Sequence, residues 1–222
     1  MLPLRDSQPS YSTPAVTILL IVTNALVFLF QVSLEPFSLN HFISVYGVIP
    51  DRLYLPSLFT SMFLHGGWMH LIGNMWFLWI YGDNVEDILG HGKYLLFYFL
   101  CGIAAGLVHV AFNADSRAPT IGASGAIAGV MGAYLIKFPR ARIVTLVPIV
   151  FYFTTVEVPA VLILLYWFVI QIFSGVGAIG HSHLSQGGVA WFAHVGGFLA
   201  GMLLVVILRT RSRYGQRQDL KW

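Results

Sequence analysis

The chain has 222 residues, of which 57% are hydrophobic and 15% aromatic, and only 9% carry a formal charge, from 12 basic and 9 acidic side chains. A water-soluble domain of this length carries charge on roughly a quarter of its residues to cover its outside, so the soluble globular class is excluded, and with it a disordered or acidic-tail chain. The single cysteine, Cys101, excludes a disulfide framework and a multi-cysteine zinc site.

The solvent for most of this chain is therefore lipid, and its elements follow from where charge is absent. No Asp, Glu, Lys or Arg occurs in residues 53–82, 94–114 or 158–208. A spanning helix needs about 20 mostly apolar residues, because only a helix satisfies its own backbone in hydrocarbon. Residues 1–14 hold Arg5 and Asp6 with no small-residue cleavage pattern after them, so this stretch is expected to be a retained cytoplasmic N-terminus rather than a secretory signal. Six spans follow, near residues 16–32, 67–81, 94–112, 124–136, 158–173 and 189–208. The apolar piece 143–153 contains Pro148 and precedes Glu157, and is expected to be interfacial or an extension of span five. Residues 209–222 form a basic cytoplasmic tail. The expected fold is an all-α polytopic bundle of six helices in one domain, 1–222.

Orientation comes from the basic residues. With the N-terminus inside, the cytoplasmic segments hold Arg5, Lys93, Lys137, Arg140, Arg142, Arg209, Arg211, Arg213, Arg217 and Lys221, and the other side holds Arg52 and Arg117. This bias puts both termini in the cytoplasm. Contact with anionic lipid accounts for the basic tail without nucleic acid as a partner.

Polar side chains left inside the spans carry the information about a site. They are His65, His70 and Asn74 at the head of span two, Ser124 at the head of span four, and His194 near the head of span six. All three spans run from outside inward. At 1.5 Å per residue Asn74 and His194 lie on the order of 10 Å deep, with Ser124 slightly shallower.

Two readings of Ser124 stand. Glycines flank it in Gly122-Ala123-Ser124-Gly125, which suits a helix cap and close helix packing. The same arrangement suits a nucleophile beside free helix-start N–H groups, with Gly122 and Gly125 letting a substrate backbone approach. His194, Gly197 and Gly201 share one helical face, as do Ser124, Ala128 and Gly132, so spans four and six can pack closely enough for the imidazole to reach the hydroxyl. Such a pair is a nucleophile with its general base. No Asp or Glu lies near either residue in sequence, so no full triad is visible. His70 and Asn74, four residues apart, share a face and can both donate to an oxyanion. His65 reads either as a packed core histidine or, with His70 and Asn74, as a metal ligand. The spacing lacks the His-Glu-x-x-His pattern, and no metal or cofactor is expected.

On His65-x4-His70-x3-Asn74, residues 82–86 (Gly-Asp-Asn-Val-Glu), Gly-x-Ser-Gly at 122–125 and Ala-His-x-x-Gly-x-x-x-Gly at 193–201, the chain resembles the rhomboid intramembrane serine proteases. The resemblance implies a six-helix fold with a cavity opening outward, Ser124 as nucleophile and His194 as general base in a dyad, and Asn74, His70 and the Ser124 N–H as oxyanion donors. It further implies that Glu86 ties span two to neighbouring backbone near the inner face. The implied reaction is peptide hydrolysis through an acyl-enzyme, in or beside transmembrane segments of membrane-protein substrates, in a bacterial-type plasma membrane with the site opening to the extracytoplasmic side. Two features depart from the family pattern: residues 51–56 lack a Trp-Arg pair, and Ala128 stands where some members carry a tyrosine against the histidine.

The Gly- and Ser-rich stretch 174–188, with His181 and His183, reads as a plain connector or as a mobile cap over the site. A transporter is disfavoured because the chain lacks inverted halves, and an aspartyl intramembrane protease because Tyr81-Gly82-Asp83 has no Gly-x-Gly-Asp partner. A non-catalytic rhomboid relative that binds membrane proteins for quality control is the alternative to a protease.

Overall fold

The computed structural model describes residues 2–149, 152–179, 190–208 and 210. Strand β1 (Leu2–Asp6) leads into α1 (Ala15–Ser33), α2 (Pro36–Tyr46), a 3₁₀ turn (Pro50–Arg52) and the single turn α3 (Ser57–Thr60), followed by a second 3₁₀ turn (Ser61–Phe63). Then come α4 (Trp68–Leu89), α5 (His91–Phe112), α6 (Ser124–Lys137), strands β2 (Arg142–Ile149) and β3 (Tyr152–Pro159), α7 (Ala160–Ile179) and α8 (Trp191–Ile207). The six expected spans correspond to α1, α4, α5, α6, α7 and α8. Among the described residues two helices, Ala15–Ser33 and His91–Phe112, are long and apolar enough to cross a membrane alone.

The all-α expectation needs correcting. Of the piece expected to be interfacial or an extension of span five, the described residues 143–149 and 152–153 do not extend that helix: they belong to a three-stranded antiparallel sheet in the order β1-β2-β3. The β2–β3 pairing runs from Arg142↔Pro159 to Ile149↔Tyr152, so Val158, expected to start span five, is in β3. Strand β1 pairs only as far as Leu2↔Leu146. Pro148 therefore lies past the end of β1, where its missing N–H breaks no ladder bond. Helix α2 is also an addition to the expected set; it begins with Pro36 at its first turn, where a missing N–H is harmless. Helix α4 runs to Leu89, two turns past the expected end, and α7 continues to Ile179, through the start of the expected loop. The rest of that loop, with His181 and His183, and the basic tail apart from Thr210 lie outside the described residues.

Helix α6 is the axis of the bundle. Every residue from Gly125 to Leu135 is buried, which explains its small-residue composition: all of its faces have protein neighbours. A Cβ added to Gly201 of α8 would overlap the Gly129 carbonyl of α6, one at Gly197 would overlap the Gly125 carbonyl, and one at Gly132 would overlap that of Phe198. The two backbones thus touch through Gly125, Gly129 and Gly132 on one side and Gly197 and Gly201 on the other. Helix α1 turns Ile18, Leu19, Val22, Leu26, Leu29 and Phe30 outward, an apolar face suited to lipid.

Glu86 fastens α1 to α4. Its carboxylate is fully buried and accepts from the Val16 N–H (2.9 Å), the Thr17 N–H (2.8 Å) and the Thr17 hydroxyl (2.8 Å), with His91 Nδ1 at 2.6 Å. A carboxylate at a helix start both satisfies orphan donors and meets the positive end of the dipole, so the tie expected of Glu86 is what the fold contains. At the same end of the bundle Lys93 Nζ donates to Leu208 O (3.0 Å) and Lys137 Nζ to Thr210 Oγ1 (3.1 Å), while β1 lies against β2. The N-terminal strand and the basic residues after α6 therefore share one end.

Candidate active site

The opposite end of the bundle holds a cavity of about 710 Å³. His70 and Asn74 line it from α4, His109 from α5, residues 119–122 from the preceding loop, Ser124 from α6, Trp167 from α7 and His194 from α8. Among the described residues no Asp, Glu, Lys or Arg stands in this wall, so its chemistry is that of uncharged groups.

Ser124 is the first residue of α6, and Ala123, in helical conformation, occupies the cap position without a side-chain hydrogen bond. The hydroxyl is thus not used as a cap. It lies 2.8 Å from Nε2 of His194, 70 residues away in sequence. The glycine contacts between α6 and α8 produce this distance: with any Cβ between the helices, serine and imidazole would stand apart. His194 is buried, and its Nδ1 lies 2.6 Å from Oε1 of Gln171 on α7. Trp167, one turn earlier on the same helix, sets its ring against the imidazole with centroids 5.7 Å apart. Trp191 meets the imidazole edge-on at 6.4 Å.

His70 and Asn74 come to the same place. The Gly66 N–H donates to His70 Nδ1 (3.3 Å), so the neutral ring carries its proton on Nε2. That nitrogen stands 2.7 Å from where a Cβ on Gly122 would be, and Asn74 Nδ2 is 3.7 Å from the same point. Asn74 Nδ2 is buried with no acceptor among the described residues. Gly122 has φ +126°, a conformation that favours glycine, and is anchored by its N–H to Ser61 O (2.9 Å). Two side-chain donors therefore converge beside the start of α6, whose first N–H groups have no intrahelical acceptor. The close approach at Gly125 is made by α5: a Cβ there would stand 2.6 Å from Ala105 Cβ.

His65 sits apart from this convergence. Its backbone is clasped by Gln31, whose Oε1 accepts the His65 N–H (3.0 Å) and whose Nε2 donates to His65 O (3.2 Å). Its ring packs edge-on against Phe28 and against His70, the packed-core arrangement. Sequence reasoning missed Gln171, Trp167 and His109. Gln171 carried the same signal that singled out Asn74, an amide inside an apolar span. His109 holds Thr120 Oγ1 at 2.8 Å, which braces the loop leading to Gly122.

A family model described as the Rhomboid domain matches residues 52–211. RHOMBOID-like protein 1 of Arabidopsis thaliana is 32% identical over 158 residues, covering 71% of this chain and 36% of that protein. The mitochondrial presenilin-associated rhomboid-like protein of Mus musculus is 32% identical over 139 residues, covering 61% of this chain and 36% of that protein. Rhomboid-like protein 11, chloroplastic, of Arabidopsis thaliana is 29% identical over 207 residues, covering 89% of this chain and 70% of that protein. The chain spans little more than a third of the length of the first two of these relatives.

Proposed function

The chain belongs to the rhomboid family of integral membrane proteins, and from that premise we propose that it is an intramembrane serine endopeptidase, a single domain over residues 1–222 that cuts peptide bonds in or beside transmembrane segments of other membrane proteins. The observation that carries this reading is the 2.8 Å contact between Ser124 Oγ and His194 Nε2 inside a cavity.

Nε2 takes the hydroxyl proton as Oγ bonds to the scissile carbonyl carbon, and the carbonyl oxygen becomes an oxyanion. His70 Nε2–H, Asn74 Nδ2 and the Ser124 N–H stabilise that charge, each donor being worth about 10²–10³ in rate in comparable sites. His194 then passes its proton to the leaving amine. Water attacks the acyl-enzyme by the same route in reverse, releasing the new C-terminus and restoring the serine.

Helix lengths support a site below the membrane surface. The 14 residues of α6 rise about 21 Å against about 30 Å of hydrocarbon. With Lys137 at the inner interface, Ser124 lies about 10 Å below the outer one. We read the bundle as six spans with both termini cytoplasmic, so the cavity opens on the far side, extracytoplasmic in a bacterial-type plasma membrane. Two relatives are named as mitochondrial and chloroplastic; the basic bias speaks to the side of the membrane and not to which membrane.

A serine-directed fluorophosphonate tests the pair. The expected result is a covalent adduct on Ser124 in the wild type and at least tenfold slower labelling of His194→Ala. Equal labelling of both proteins overturns the base assignment. The alternative, a membrane-protein-binding relative without proteolysis, predicts retention of a single-span client with no adduct on Ser124.

A further inference from the structure

Resting on the proteolytic reading of Ser124 and His194, we infer that Gln171 is a positioning residue for the base: its side-chain carbonyl accepts Nδ1–H of His194 and holds the imidazole in the tautomer whose bare Nε2 faces the serine. The imidazole has two nitrogens and in its neutral form one proton. Nε2 lies 2.8 Å from the Ser124 hydroxyl and Nδ1 lies 2.6 Å from Gln171 Oε1. With the amide oxygen on Nδ1, the proton belongs there and Nε2 is free to accept. The opposite amide orientation would place NH₂ on Nδ1 and a proton on Nε2, and the ring could not take the serine proton. The contact is protected, since Gln171 is 4% exposed and His194 8%.

In a serine triad a carboxylate orients the histidine. Among the described residues this cavity has no carboxylate in its wall, and one buried in hydrocarbon would be costly. An amide supplies the acceptor without the charge. The same helix supplies the second restraint: Trp167, one turn from Gln171, packs against the imidazole with ring centroids 5.7 Å apart and planes at 37°, while α6 offers only Ala128 one turn below Ser124. Helix α7 thus contributes no reacting atom, yet sets both the tilt and the tautomer of the base.

Two measurements test this. In Ser124→Ala protein, folded but unable to react, ring-¹⁵N histidine NMR in detergent micelles reports which nitrogen of His194 is protonated, with the signal assigned by its loss in Ser124→Ala/His194→Ala. The expected result is protonation at Nδ1 while Gln171 is present. Protonation at Nε2 overturns the inference and needs no Gln171 variant to fold. For kinetics, cleavage of a fluorogenic single-span substrate is compared for wild type, Gln171→Leu and Gln171→Glu. Gln171→Leu is expected to lose about 10²-fold in kcat with KM within threefold, and Gln171→Glu, which keeps an acceptor at the same reach, to recover at least a tenth of wild-type kcat. A Gln171→Leu enzyme within threefold of wild type overturns the inference, as does a rise in KM at constant kcat. If wild type cleaves no faster than Ser124→Ala, the proteolytic reading fails, while the NMR result still decides the Gln171 contact.

Discussion

Replacing Gly122 by alanine tests the convergence of oxyanion donors. The new Cβ would stand 2.7 Å from His70 Nε2 and 2.9 Å from its Cε1. An unstrained contact needs about 3.4 Å or more, so the imidazole must retreat by about 0.7 Å. At φ +126° a Cβ also adds backbone strain of about 1–3 kcal/mol, which lowers stability without abolishing the fold. A donor displaced by most of an ångström loses much of its grip on a developing charge. Misplacement of about 1 Å costs about 10²-fold, and removal of one donor costs about 10²–10³-fold. Gly122→Ala is therefore expected to cut kcat about 10²-fold. The assay is initial-rate cleavage of a labelled single-span substrate in proteoliposomes, with thermal unfolding in micelles as the check on folding. A folded Gly122→Ala protein that cleaves within threefold of wild type refutes the placement of His70 over the oxyanion.

Gly201→Val forces α8 off the Gly129 carbonyl and is expected to abolish both cleavage and fluorophosphonate labelling; labelling at the wild-type rate would contradict the packing argument. Glu86→Ala leaves the first donors of α1 without their acceptor and is expected to cost about 3 kcal/mol, measured as a lower SDS-unfolding midpoint, whereas an unchanged midpoint would contradict the tie. Burial raises the Asp6 carboxyl from 3.8 to about 7, assisted by the charge of Asp83 and opposed by the hydrogen bond from Tyr134. The folded strand then binds the proton more tightly than the unfolded chain, so its stability falls as pH rises from about 4 to about 7 and is flat above. Amide exchange in β1 is expected to be better protected at pH 5.5 than at pH 8, and Asp6→Asn to remove the difference; equal protection at both pH values in wild type would contradict it.

The site was legible because the lipid environment removes most polar residues and leaves the rest conspicuous. Ser124, His194, His70 and Asn74 were visible as polar groups inside apolar runs, and their helices were found to within a turn except at the ends of α4 and α7. The sheet was missed for a physical reason. Strands β2 and β3 are apolar and follow a span, so hydropathy could not separate them from lipid-facing helix. Their β-branched content, including Val144, Thr145, Thr154, Thr155 and Val156, was the strand signal. The partner β1 lies about 140 residues away, and no local pattern gives that pairing. Gln171 is, like Asn74, an amide inside an apolar run, but nothing local in span five shows that its partner is His194, 23 residues further along the chain. The α6–α8 contact was anticipated along Ser124, Ala128 and Gly132; Ser124 and Gly132 do meet α8, but the α6 carbonyls that touch Gly197 and Gly201 are those of Gly125 and Gly129. A face assigned from spacing alone can be off by one residue, or about 100°.

If Ser124 cuts peptide bonds with His194 as its base, wild-type protein in proteoliposomes cleaves a labelled single-span substrate into two fragments, and Ser124→Ala, reconstituted in equal amount and equally folded, yields none. Cleavage by Ser124→Ala at the wild-type rate would contradict the mechanism at its first step.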